Sequence, residues 1–320
     1  MRVTYFSWLL AGLCLLCTPL FAQNTALDGD WKQRKVVLRN TAEAELMIRV
    51  GDIDNLGFGW PAGYDPFSGK ETPPHSFPWE QEAGEAPGLD MIMLPSSMSR
   101  EKGSPCGGDG YSDSYEYLME KFRATTLPIE IPMEGTASMN INGITMMLFI
   151  DDFQSPVFCS QFEAYLNGRR AVFLETLLNQ VTQTGPIGKL ITVQVPPDFW
   201  GEFKKNKVEL LIDDRTTGAH DGFALDFVKV LINPKALQHK GTAVGKIIDQ
   251  ASRQPVVGAE VNIQGFGRAT TNERGEFSIQ DVPAGLALIQ VCALKYRGQA
   301  FQVDIIENQR NDITLELDPN

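Results

Sequence analysis

Phe223-Ala224-Leu225-Asp226-Phe227-Val228-Lys229-Val230-Leu231-Ile232 is an apolar run rich in aromatic and β-branched residues, bounded by Gly222 and Asn233-Pro234. It reads as a strand. It also closes a series. Lys35–Arg39, Glu45–Val50, Thr145–Ile150, Gln161–Leu166, Leu190–Val195 and Val208–Ile212 have the same length and character. One convincing helix interrupts them, with Phe173, Leu174, Leu177, Leu178 and Val181 on one face and Gly185-Pro186 as its stop. Asp198 is placed to cap a short turn through Phe199, Trp200 and Phe203. Tyr115, Leu118, Met119 and Phe122 have helical spacing too, although Tyr111-Ser112-Asp113 reads equally as loop. Many strands and little helix predict an all-β fold, with a jelly-roll-like β-sandwich over residues 23–235. From Gly51 to Pro105 that sandwich carries a long Gly/Pro/aromatic loop, whose Phe58, Trp60, Tyr64, Phe67, Phe77 and Trp79 are too many for a disordered linker.

A boundary falls between Asn233-Pro234-Lys235 and His239-Lys240-Gly241. Beyond it, short strands are expected at Ala243–Ile248, Glu260–Ile263, Gly275–Ile279, Leu286–Ala293, Gln299–Ile305 and Asp312–Leu317. Turn signals at Asn272-Glu273-Arg274-Gly275 and Pro283-Ala284-Gly285 separate them. Pro255 and Gly258 frame a turn, Gly275 permits a positive φ, and Phe277 and Ile279 point inward with period two.

This second unit carries a pattern: Gly245-Lys246-Ile247-Ile248-Asp249, then Gln254-Pro255-Val256-Val257-Gly258-Ala259-Glu260-Val261. Thr270-Thr271-Asn272-Glu273-Arg274-Gly275-Glu276-Phe277-Ser278-Ile279 and Val282-Pro283-Ala284-Gly285 follow. It resembles the carboxypeptidase regulatory-like domain, a transthyretin-like β-sandwich attached to many exported bacterial proteins, over residues 241–318. The resemblance implies a folding and spacing module rather than chemistry. The histidines are His75, His220 and His239, and none begins an HxxE or HExxH zinc motif, so the peptidase itself is missing.

The chain of 320 residues has 28 Lys+Arg against 40 Asp+Glu, a net charge of −12. No basic stripe is available to displace counterions from phosphates, which argues against nucleic acid. The long apolar run lies at the N-terminus, so no transmembrane helix is expected elsewhere. Residues 1–22 read as a signal peptide: Met1-Arg2, an apolar centre from Trp8 to Cys17, and Thr18 to Ala22 before cleavage ahead of Gln23. The product is therefore expected in the periplasm, on the cell surface or outside the cell. Without the signal, Cys106, Cys159 and Cys292 remain. Cys106 and Cys159 could pair in such a compartment, whereas Cys292 alternates with Leu288, Gln290 and Leu294 and reads as a small buried hydrophobe.

Acids cluster at strand ends: Asp52 and Asp54, Asp151-Asp152, and Asp213-Asp214 followed by Asp221. Calcium takes six to eight oxygens, which Asp-rich loops supply. Each cluster also has an ordinary reading, as turn-forming side chains or solvated ends. Asp226 shares a strand face with Ala224, Val228 and Val230. If that face is core, its carboxylate must meet a metal, an arginine or backbone donors; otherwise it faces solvent at an edge. The strand–Asp-Asp pattern loosely resembles galactose-binding and carbohydrate-binding-module jelly rolls. That resemblance implies a structural calcium and a glycan partner.

Trp60, His75 and Trp79 set aromatic faces beside acids, a combination that can stack on sugars, or they form the private core of the loop. Glu71, Glu80 and Glu163 are available as a glycosidase pair, although no spacing singles them out. The sequence thus reads as a secreted, non-catalytic binding or adhesion protein, calcium-stabilised and glycan-directed. A structural or assembly protein of the bacterial cell envelope and a glycan-active enzyme are the alternatives.

Overall fold

The computed structural model describes residues 25–75, 128–151, 153, 160–182, 187–217 and 223–320. The expected signal segment, Cys106, Cys159, the helical spacing at 115–122 and Gly185-Pro186 lie outside the described residues. The first half contains α1 (Thr25–Asp28), β1 (Lys35–Arg39), β2 (Ala44–Val50), β3 (Ile129–Pro132), β4 (Ile144–Asp151), β5 (Glu163–Leu166) and β6 (Arg169–Arg170). Next come α2 (Val172–Leu178), β7 (Gly188–Gln194), β8 (Lys207–Asp213) and β9 (Ala224–Pro234). The C-terminal unit holds β10 (Lys240–Asp249), β11 (Glu260–Ile263), β12 (Gly267–Thr270), β13 (Glu276–Pro283), β14 (Gly285–Cys292), β15 (Gln299–Ile305) and β16 (Arg310–Leu317).

The run that opens the sequence reading becomes β9, buried at every position but Pro234, and β4 beside it is buried throughout. A strand buried on both sides needs cover on both sides. β1-β2-β9-β4-β7, all antiparallel, face a second sheet in the order β3-β8-β5-β6. From β2 to β9 the chain passes between these sheets at each connection except the β5–β6 hairpin, which makes the expected jelly-roll-like sandwich. Leu148, Val228 and Val230 fill the core between the sheets. Met147, Phe149, Phe227 and Leu231 project from the outer face, where Trp31, Ile53, Phe67 and Trp60 cover them. Most of this cover comes from the long loop, which, as far as residue 75, packs on the sheet.

The C-terminal unit sets β13-β10-β16 against β12, β11, β14 and β15, with Ile247, Val261, Phe277, Ile279, Ile289 and Leu315 between them. Phe277 and Ile279 are buried as the alternation requires, and Gly275 has φ of +74°. The two units share one sheet. Leu286 of β14 pairs in parallel with Ile191 of β7, joining them into nine strands. β14 serves two cores: Ala287, Ile289 and Val291 enter its own, while Leu286 and Leu288 enter that of the N-terminal sandwich. Gly285, at φ of +114°, makes the approach possible, because a Cβ there would lie 2.2 Å from the Leu190 carbonyl oxygen. Lys189, 7% exposed, reaches both carboxylate oxygens of Asp304 at 3.1 Å and Glu71 at 3.1 Å.

Two local expectations are corrected. Cys292 is a free, exposed thiol rather than a buried hydrophobe. The face it shares with Leu286 and Leu288 runs out from under the N-terminal sandwich before Cys292, and Leu294 is 88% exposed. Asp198 lies inside its turn instead of capping it: Pro196 holds the cap position, and the Asp198 carboxylate pairs with Arg169.

Candidate functional site

β9 follows β4 in register at Phe149 and Phe227, but the next pair is Ile150 with Leu225, so Asp226 is the extra residue of a β-bulge. A bulge resets the alternation of side chains. Leu225 therefore shares the inter-sheet core with Val228 and Val230 despite its different parity. Asp226 turns instead toward the loop on the outer face, where its Oδ1 accepts the Leu56 N–H at 2.9 Å. The expected grouping of Asp226 with Ala224, Val228 and Val230 on one face is thereby overturned. Asn55 and Leu56 hold left-handed conformations, at φ of +64° and +57°, to present that N–H.

Asp226 is 2% exposed, and its Oδ2 has no hydrogen-bond partner among the described residues. Burial above all, then the charges of Asp54 and Asp52, push its carboxyl well above the ordinary range; bonds from the Leu56 and Asp54 backbone oppose the shift. Burial likewise raises Asp52, against its own backbone bond, Arg34 and Arg49. Buried Arg49 directs its terminal guanidinium nitrogens at the carbonyl oxygens of Gln33 (2.9 Å), Asp30 (2.8 Å) and Gly51, and its Nε has no hydrogen-bond partner among the described residues. Its own pKa is lowered by burial, while Asp28, Asp52 and Asp226 act the other way. Farther along β9, fully buried Lys229 pairs with Asp28 and, at 2.7 Å, with Glu43. Buried carboxylates at Asp28, Glu43, Asp52 and Asp226 therefore outnumber the buried cations Arg49 and Lys229 on this face.

Aromatic rings adjoin the acids. Trp60 stacks on Tyr64 (centroids 5.2 Å, 8°), meets Phe149 edge-on and donates its Nε1–H to the Ile53 carbonyl at 3.2 Å. The Tyr64 hydroxyl is pushed above its ordinary value by burial and then by Asp65, Glu71, Asp226 and Asp151. His75 stacks on Phe58 at 4.1 Å, and its Nε2 lies 2.8 Å from Asp151 Oδ2, both side chains buried.

The structure thus brings Asp52, Asp54 and Asp226 together, and sets Asp151 against His75. Asp213 and Asp214 belong to the opposite sheet. Asp213 pairs with Arg215 at 3.4 Å, while Asp214 accepts N–H bonds from Gln161, Thr216 and Thr217. Such bonding is that of a turn-forming aspartate. Asp152, Asp221, Trp79 and Glu80 lie outside the described residues. Glu163 bonds the Tyr165 hydroxyl and lies 3.6 Å from Arg170, and Glu71 is taken by Lys189. Among the described residues, the metal-capable group whose ligand atoms all lie within 4.8 Å of one another is Asp65, His239 and Glu307. No spacing in the sequence could have found it, because its members are far apart in the chain.

Comparison with known proteins gives the C-terminal unit its family: the CarboxypepD_reg-like domain matches residues 243–320. No curated protein matches the chain. Among solved structures, a type II cohesin–X-dockerin complex from Acetivibrio cellulolyticus is 22% identical over 23% of this chain and 52% of its own, with a TM-score of 0.20. The 5-hydroxyisourate hydrolase of Klebsiella pneumoniae is 14% identical over 25% of this chain and 91% of its own, at 0.21. BcpA, the major pilin subunit of Bacillus cereus, is 16% identical over 56% of this chain and 60% of its own, at 0.21. The chain spans about half the length of the first of these. Among the described residues, no helix is long and apolar enough to cross a membrane.

Proposed function

We propose that the chain is an exported, non-catalytic binding or adhesion protein, with the N-terminal sandwich as binding module and the carboxypeptidase regulatory-like domain as its fixed support. The observation that carries this reading is the junction: β7 and β14 lie in one sheet, and Leu286 and Leu288 are sunk into the neighbouring core. Such an arrangement suits a protein that presents a surface in a set orientation. A glycan is the ligand proposed, taken up beside the Trp60–Tyr64 stack and its adjoining acids, where ring faces meet sugar C–H groups and carboxylates meet hydroxyls. Calcium is the proposed structural ion, held by Asp52, Asp54 and Asp226 once those carboxylates draw together around it.

Calorimetry against a broad polysaccharide panel tests the glycan assignment. Binding that Trp60→Ala weakens at least tenfold supports it, and silence across the panel removes it. One observation favours the second reading, a structural or assembly role in the cell envelope. The indole N–H of Trp60 is already bonded to Ile53, and its ring packs on Phe149, as a core residue's would.

A further inference from the structure

The connector between the two units carries His239, which is 4% exposed. Its ring lies against Phe67, centroids 5.0 Å apart and 22° from parallel, so one face is apolar. Glu307 Oε1 approaches Nδ1 to 3.2 Å, yet neither ring nitrogen has a hydrogen-bond partner among the described residues. A buried imidazole so placed forfeits the bonds it had in water unless another group takes its lone pair. Asp65 completes the group, every member of which offers a ligand atom within 4.8 Å of the others.

The donors are held in place from three directions. The Phe67 N–H binds Asp65 Oδ1 at 2.9 Å, which fixes that carboxylate and leaves its second oxygen for a ligand. Glu307 donates its N–H to the Ser68 carbonyl at 2.9 Å, and Asn308 donates to Lys240 at 2.8 Å, tying the β15–β16 turn to the loop and to the connector. The His239 carbonyl accepts the Ala284 N–H at 3.0 Å. One imidazole and two carboxylates suit a borderline divalent cation, with water completing a four-coordinate shell.

We infer that Asp65, His239 and Glu307 form a zinc-class divalent metal site that clasps the N-terminal loop, the connector and the C-terminal domain together. It stands apart from the calcium assignment, being built around a nitrogen ligand at the junction. The test is calorimetric titration of zinc into the untagged full chain after chelator treatment. Saturable binding of one zinc per chain is expected. His239→Gln should abolish it, and Asp65→Asn and Glu307→Gln should each weaken it at least tenfold. Melts of all three variants in chelator establish that they are folded; a variant that does not fold is replaced by the next in the set. Absence of saturable zinc binding by the wild-type chain, or binding that a folded His239→Gln leaves intact, would overturn the assignment. Calcium response measured on the same variants should stay unchanged, which separates this site from Asp226.

Discussion

Lys229 and Asp226 stand three residues apart on one buried strand and meet opposite fates. Lys229 is enclosed by Asp28 and Glu43, and its ammonium also lies 4.9 Å from the Phe67 ring centre, so its charge is answered where it is buried. Among the described residues, Asp226 has only backbone N–H bonds, from Leu56 at 2.9 Å and from Asp54, and feels the carboxylates of Asp54 and Asp52 through the protein. A buried charge is tolerable when its partners are built in. Otherwise the group must take up a proton or wait for a cation. The first residue therefore belongs to the fold, and the second has an unmet requirement.

Breaking the closed network should have the largest effect. Lys229→Ala leaves Asp28 and Glu43 buried without their cation and should cost about 3–5 kcal/mol in urea unfolding. Adding Glu43→Gln should return part of that loss. Filling the open end comes next. Calcium at a hundred times its dissociation constant should add about 2.7 kcal/mol, read as a rise in Tm, and Asp226→Asn should erase the response. If Asp226→Asn keeps the full rise, the ion binds elsewhere.

The dependence on pH sharpens the same contrast. Because the folded-state pKa of Asp226 is raised, the native chain holds its proton more tightly than the unfolded one. That contribution to stability is fully present below the ordinary carboxylate value of 3.8 and is lost as pH rises through the folded value. In calcium-free buffer, stability should therefore fall over that window. Asp226→Asn, which cannot ionise, should flatten the fall when melts are compared across pH. The smallest effect is expected at Asp54, which is only partly buried. Asp54→Asn removes one like charge from beside Asp226 and should raise calcium-free stability by about 0.5 kcal/mol or less.

Most strands were legible because they are apolar runs between turn residues, and the C-terminal unit because its turn motifs are specific in combination. β3, β6 and β12 were missed, β6 and β12 being short and largely polar. Asp226 was legible as an anomaly but not in its direction. Alternation predicts a face only while the register holds, and the bulge opposite Phe149 and Ile150 shifts it. Leu286 and Leu288 look like the core of their own sandwich, and nothing local says that they fill a neighbour's. The exposure of Cys292 follows from the same junction. His75 with Asp151, and His239 with Asp65 and Glu307, join residues whose nearness is decided by how the loop folds back over the sheet.

β10 and β16 run parallel, paired from Thr242 with Arg310 through Asp249 with Leu317. β10 enters from the connector at one end of this ladder, and β16 leaves at the other. A pull between the N-terminal sandwich and Leu317 therefore draws the two strands past each other lengthwise, and the tension falls on the whole ladder at once. Peeling would break one pair at a time; shear demands that they yield together, so the C-terminal domain is wired to resist traction along the chain.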